Sequence, residues 1–296
     1  MENIRGAILM VLAMLGFAIE DMFIKQMSGG VPLGQILMSL GGGGALVFGI
    51  WAHLRGARVL GPDLWHPAIL VRNGCEAVGT IGYTSAIFFS PLSTATAIAQ
   101  AIPLLVTMGA ALFFAEPVGW RRWSAILAGF AGVMLVVQPG GEGFVPASLF
   151  AVMGAVGLAG RDLASRRVPA RVISVQLACY GFLTLVPTGL FLLAVTGDRA
   201  VIPDGTDGAR LLAALGIGIF AYYAITAASR LGDVSVIAPY RYARLIFGIT
   251  IGMIAFGERP DTLALAGSAV IVASGLYTFL REARLRRASQ TRAAAV

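Results

Sequence analysis

Long apolar runs, broken by short polar turns, fill the chain almost from end to end. Runs of spanning length fall at about 4–24, 32–52, 67–89, 91–114, 122–138, 146–165, 171–195, 208–230, 233–256 and 261–281. Each holds roughly 17–25 residues, the length that a hydrocarbon core about 30 Å thick demands of a helix. The connections carry turn formers, as in Ser28-Gly29-Gly30-Val31-Pro32, Ser90-Pro91, Gln138-Pro139-Gly140-Gly141, Pro203-Asp204-Gly205 and Glu258-Arg259-Pro260. No connection is long enough to hold a soluble domain. The pattern predicts an all-α integral membrane protein with ten transmembrane helices.

The two halves of that pattern echo each other. One helix ends in Phe114-Ala115-Glu116-Pro117, and its echo in the second half ends in Phe256-Gly257-Glu258-Arg259-Pro260. The offset from Glu116 to Glu258 also carries Ala125 onto Gly267 and Gly132 onto Ser274. Tyrosine opens both blocks, in Tyr83-Thr84-Ser85-Ala86 and Tyr223-Ala224-Ile225-Thr226. Five is odd, so two five-helix copies must lie in opposite orientations. Inverted repeats of this kind are an arrangement of secondary transporters that alternate access about a midplane site. The expected divisions are a first repeat over 1–138, a second over 146–281 and a basic tail over 282–296.

Composition narrows the class. Hydrophobic residues make up 57% and charged residues 12%, against about 25% charged in soluble domains, and the mean hydropathy is +0.82. Thirty-eight glycines suit helices that approach closely in lipid. The isoelectric point near 10.0 reflects topology rather than nucleic-acid binding. With both termini cytoplasmic, fifteen Lys and Arg fall on the inner side and four outside, and Arg72, Arg241 and Arg244 lie within spans. The first run ends in Glu20-Asp21 without a small-x-small cleavage site, so it reads as a retained helix and not a signal peptide. Cys75 and Cys179 lie in apolar runs and read as buried thiols. His53 and His66 are the only histidines, and no metalloprotease, phosphate-loop or nucleophile-elbow motif occurs. The sequence therefore predicts no enzyme, no metal and no cofactor. A channel is the remaining rival, although no repeated filter segment stands out.

Polar groups inside spans are costly and mark pathways. Arg72, Glu76, Gly79 and Tyr83 share one face of the third span, where Arg72 and Glu76 can pair across a turn. They read as a charged lining or as a self-neutralised pair near the inner end. Thr96, Gln100, Pro103 and Thr107 share a face of the fourth span, and Pro103 frees a backbone carbonyl there. The ninth span carries Pro239 beside Tyr240-Arg241-Tyr242, then Arg244. The offset between the halves carries Pro103 onto Leu245, so the two prolines read as analogous breaks and not one repeated feature. At ~1.5 Å per residue Arg241 lies ~12 Å and Arg244 ~17 Å from the inner end, beyond easy snorkelling for Arg244. Arg244 is expected to meet a substrate carboxylate, or to form a salt bridge with Glu20, Glu76 or Asp162. Glu20 and Asp21, near the outer end of the first span, read as acids exposed to interfacial water. If buried, Glu20 could carry a coupling proton, with Glu76 as a second candidate. Tyr222, Thr226 and Ser229 give the eighth span a polar face, and Arg161-Asp162 reads as a structural inner-edge pair.

The block over 83–139, with its helix, Ala115-Glu116-Pro117 turn and glycine-bearing helix, resembles the EamA-type repeat of the drug/metabolite transporter superfamily. Gly257-Glu258-Arg259 is nearer that family's usual Leu-Gly-Glu-Arg turn. Within the superfamily the chain is similar to the YddG-type amino-acid exporters of bacterial inner membranes. The resemblance implies a monomer in lipid that exports small metabolites, amino acids foremost, by alternating access. Arg244 and Arg241 would meet the carboxylate, an acid or Gln100 the ammonium, and Tyr83, Tyr222, Tyr240 and Thr96 the rest of the small-molecule substrate.

Overall fold

In the computed structural model, which describes residues 2–141, 143–228, 231 and 234–293, the chain is helical with no strand among those residues. At 234–235, 282–283 and 285–293 only the backbone is described, and Ser229 and Arg230 lie outside the described residues. The helices are α1 (Glu2–Gln26), α2 (Leu33–Leu54), α3 (Pro67–Phe89), α4 (Leu92–Ala99), α5 (Ile102–Phe114) and α6 (Trp120–Val137). They continue as α7 (Ser148–Ser165), α8 (Ser174–Thr196), α9 (Gly205–Ala228), α10 (Val234–Ile237), α11 (Ala243–Phe256) and α12 (Thr262–Ala293). A tight turn of helix, Ala238–Tyr242, joins α10 to α11. The last helix runs past the expected end at 281, because its Ala- and Arg-rich continuation is made of strong helix formers.

Seven segments are long and apolar enough to cross a bilayer: α1, α2, α4 with α5, α6, α8, α9 and Thr262–Arg281 of α12. The chain is an integral, multi-pass membrane protein. The expected spans outside that set are informative. They are α3 with Arg72 and Glu76, α7 with Arg161 and Asp162, and the interrupted stretch that ends in α11 with Arg241 and Arg244. Of these, α3 and α7 carry buried charge within the span, and α11 is short because the ninth run is interrupted.

Proline explains the interruptions. Pro103 has no N–H to donate, and its ring would clash with the carbonyl of Ala99, so the fourth run breaks at Gln100 and Ala101. Their N–H groups donate instead to Ala97 O at 3.1 Å and Ile98 O at 3.0 Å. Pro239 sits at the start of the tight turn in the ninth run. The breaks correspond more closely than the prolines do, since the offset between the halves carries the start of α5, Ile102, to within one position of the start of α11, Ala243. Both helices then end in a left-handed cap, Ala115 at φ 52° and Gly257 at φ 63°. Glu116 N–H donates to Ala110 O at 3.3 Å and Glu258 N–H to Gly252 O at 3.0 Å. The Ala/Gly-Glu turn is thus a helix stop that satisfies orphan carbonyls.

The helices pack in pairs: α3 with α7, α1 with α9, α2 with α8, α6 with α12, and α4 with α11. Lipid supplies no hydrophobic force between helices, so close backbone contact through small residues does the work. Gly79 meets Gly157, Gly34 meets Gly189 and Gly132 meets Gly267, while Gly16 lies against Ala221. Hydroxyls within the spans are mostly satisfied by their own helix, as when Thr96 donates to Leu92 O (2.7 Å), Thr107 to Pro103 O (2.9 Å) and Thr226 to Tyr222 O (2.8 Å).

Candidate functional site

Two groups of charge face the interior. In the first, α1, α3 and α11 bring Asp21, Tyr83 and Arg244 together. Arg244 Nη2 donates to Asp21 Oδ2 at 2.7 Å, and the Tyr83 hydroxyl donates to the same oxygen at 2.9 Å. The guanidinium lies 5.0 Å from the Tyr83 ring centroid and 5.3 Å from that of Phe17, within cation–π range. Asp21 is only 4% exposed, so it is not an acid in interfacial water. It is also Asp21, and not Glu20, Glu76 or Asp162, that pairs with Arg244. Consecutive residues on a helix point about 100° apart. That rotation turns Asp21 toward α3 and α11 and leaves Glu20 toward α9, where a methyl on Gly218 would stand 2.5 Å from Glu20 Oε1.

The second group lies between α3 and α7. Glu76 Oε2 is 3.3 Å from Arg72 Nη2, across one turn, and Glu76 Oε1 accepts from Arg161 Nη1 at 3.1 Å. Arg161 also holds Asp162, at 2.8 Å. The glycine crossing explains the reach, because Glu76 stands one turn before Gly79 and Arg161 one turn after Gly157. Arg161-Asp162 is therefore part of a link between helices, not an isolated edge pair. Tyr222 on α9 lies in the field of all four charges, and its ring meets Phe48 and Phe182 edge-on at 5.3 and 5.7 Å. Arg241 lies in the field of Asp162, Arg161 and Arg244. The Nε atoms of Arg72 and Arg244 are buried without a hydrogen-bond partner among the described residues.

The other candidates divide. Gln100 is 6% exposed at the break between α4 and α5, and Pro103 is the second residue of α5. Thr96 is fully buried and packs its methyl onto Gly248, so it seals α4 against α11. Tyr240 is 44% exposed and stands outside both groups. Asp21 and Arg161 are the residues that sequence reasoning missed. A signal for both was present: Asp21-x-x-x-Lys25 recurs in the second half as Asp162-x-x-x-Arg166, with Glu20 and Arg161 just ahead. Four carboxylates, on Glu20, Asp21, Glu76 and Asp162, face four guanidiniums, on Arg72, Arg161, Arg241 and Arg244. Such a strip can exchange its internal ion pairs for those of a solute that carries both signs.

Residues 4–138 match the EamA-like transporter family. The S-adenosylmethionine uptake transporter of Rickettsia felis is 27% identical over 69% of this chain and 68% of its own. The pseudopaline exporter CntI of Pseudomonas aeruginosa is 28% identical over 90% and 93%. The riboflavin transporter of Rhizobium johnstonii is 28% identical over 74% and 72%. One solved crystal structure, 22% identical, shares the fold with a TM-score of 0.59 over 91% of this chain and 98% of that one. The chain is thus a membrane transporter, not an enzyme, and its residues 4–138 are similar to the EamA-like transporter family of the drug/metabolite transporter superfamily.

Proposed function

We propose that the chain is a secondary carrier that exports small amphoteric metabolites, amino acids foremost, across the bacterial inner membrane by alternating access. The observation that carries this reading is the Asp21–Arg244 pair, a buried ion pair whose carboxylate also accepts from the Tyr83 hydroxyl. A substrate carboxylate would take Arg244, with Arg241 behind it. The freed Asp21, with Gln100, would take the ammonium, while Tyr83 and Tyr222 wall the side chain.

The carrier reading includes ten spans in two inverted repeats, 1–138 and 146–281, with 282–296 as a basic cytoplasmic tail and both termini inside. Helix pairing supports it. Exchanging the first five spans for the second five turns the α3–α7 contact into α9–α1 and the α1–α11 contact into α7–α5, and maps α2–α8 and α6–α12 onto themselves. A two-fold axis in the membrane plane has this effect. For proton coupling Glu20 is the better candidate than Glu76, because Glu76 is held by two arginines whereas Glu20 makes no ion pair among the described residues.

Liposomes loaded with labelled amino acids test the proposal. Saturable efflux that Arg244→Ala abolishes is the expected result. Unsaturable flux would indicate a channel, and absence of amino-acid flux would sink the substrate class. S-adenosylmethionine belongs in the same assay, since a relative that is 27% identical is an uptake transporter for it.

A further inference from the structure

At the end of the bundle where α1 finishes, Glu258 and Lys25 together tie four helices. Glu258, just after α11, accepts from the N–H of Leu92 at 2.6 Å, and from the N–H and hydroxyl of Ser93 at 2.9 and 2.7 Å. It thereby caps the start of α4. Lys25, from the end of α1, stands 3.7 Å from Glu258 and 5.4 Å from the Phe256 ring centroid, and donates to Ile87 O (3.2 Å) and Ser90 O (2.6 Å) at the end of α3. The side chains of Lys25 and Glu258 are only 15% and 9% exposed.

The same parts recur at the opposite end, drawn from the other half of the sequence. Arg166 stands for Lys25, Glu116 for Glu258, Phe114 for Phe256, and Val234-Ser235 for Leu92-Ser93. Arg166 donates to Glu116 at 2.9 Å, and the neighbouring Arg167 covers Phe114 at 4.5 Å. Here, however, the two charged side chains are 45% and 48% exposed. One carboxylate is buried against α4 and the Lys25 end of α1, and its counterpart lies open to solvent.

We propose that Glu258 is the clasp that shuts the Lys25 end, and that Glu116 is its counterpart at the other end, the two closing in alternation during transport. This rests on the carrier reading above. Gly252 gives the clasp its room, because a methyl there would stand 2.5 Å from Glu258 Oε2. Ala110 occupies the corresponding place at the other end, so Glu116 has less room to fold back. The Lys25 end is therefore the more firmly closed at rest.

Thiol labelling tests the clasp without any substrate. Thr96, one turn inside it and fully buried, is replaced by cysteine in the full-length protein after Cys75→Ser and Cys179→Ser. Intact cells are then treated with a membrane-impermeant maleimide that reaches the outer face. Hydrogen bonds to a charged acceptor hold the closed state, so Glu258→Gln is expected to raise the labelling rate about tenfold or more. Ser93→Ala, which removes only the hydroxyl donor, should raise it less. Glu116→Gln should lower it, and the double variant should return toward the parent. Labelling unchanged by both Glu258→Gln and Ser93→Ala in folded protein would overturn the proposal, as would Glu116→Gln and Glu258→Gln moving it in the same direction. A failure to find transported amino acids leaves these rates untouched, so the two readings fail separately.

Discussion

Two helix crossings, whose small residues echo one another between the halves of the sequence, are built alike and finished differently. Where α3 meets α7, Gly79 and Gly157 bring the backbones together, and one turn away Glu76 and Arg161 close an ion pair at 3.1 Å. Where α1 meets α9, Gly16 lies against Ala221, and one turn away Glu20 faces Gly218. The first crossing neutralises itself. The second presents a carboxylate to a residue with no side chain. Small residues set the approach of the helices, and positions a turn away set the charge, so one can be repeated while the other diverges. In the proposed carrier, fold symmetry drives the alternation, and the lapse in chemical symmetry makes the site.

The pair beside the second crossing should respond most strongly. Arg244→Ala leaves Asp21 buried without its cation, and Asp21→Ala does the converse. Each is expected to cost about 3–5 kcal/mol, read as a lowered unfolding midpoint in detergent, and to abolish flux. The double variant Asp21→Asn with Arg244→Gln should regain most of the stability and none of the transport. Transport by that double variant at the parent rate would reduce the pair to a structural brace.

This pair also marks how far the sequence can be read. Span lengths were legible because lipid demands them, and the breaks because proline cannot donate. Arg244 stood out because a cation in an apolar run is costly. Its partner did not. Asp21 sits near a helix end, where an acid in water is the ordinary expectation, and Arg244 reaches it from 223 residues away. Nothing local to Glu76 announces Arg161 either, 85 residues on. Only the echo between the halves carries that information, and it becomes useful once the glycine crossings show which faces meet.

Removing one carboxylate from each crossing separates brace from coupling. Glu76→Gln weakens the hold on Arg72 and Arg161 together and should cost about 1.5–3 kcal/mol. Glu20→Gln breaks no ion pair, so its unfolding midpoint should stay near the parent while the dependence of efflux on a pH gradient disappears. If the gradient still drives efflux in Glu20→Gln, the coupling proton travels elsewhere.

The glycines sharpen the contrast at smaller scale. A methyl on Gly79 would stand 2.8 Å from Leu158 N, a backbone atom that cannot step aside. Gly79→Ala is therefore expected to cost about 1–3 kcal/mol through overpacking. At Gly218 the added methyl meets only the tip of Glu20, which can swing away. Gly218→Ala should change stability less and alter the pH response of flux more. Equal losses of stability at the two sites would mean that the second crossing is as tightly built as the first.

A last difference lies in the stops of the two broken helices. Ala115 and Gly257 occupy the same left-handed cap, but only glycine adopts it without crowding its Cβ. Left-handed backbone costs a residue with a Cβ about 1–2 kcal/mol, partly offset when glycine adds freedom to the unfolded chain. Ala115→Gly should therefore stabilise the protein by about 0.5–1 kcal/mol, and Gly257→Ala should destabilise it by a similar amount. The two changes need not be equal in function. Glu258 hangs directly from the Gly257 cap and holds α4, so strain there is transmitted to the clasp. Gly257→Ala should consequently raise maleimide labelling of Thr96→Cys, while Ala115→Gly, next to the exposed Glu116, should affect stability with little change in labelling. An equal effect on labelling from both would show that the caps act as helix stops alone, and that the grip of the clasp is independent of the turn that carries it.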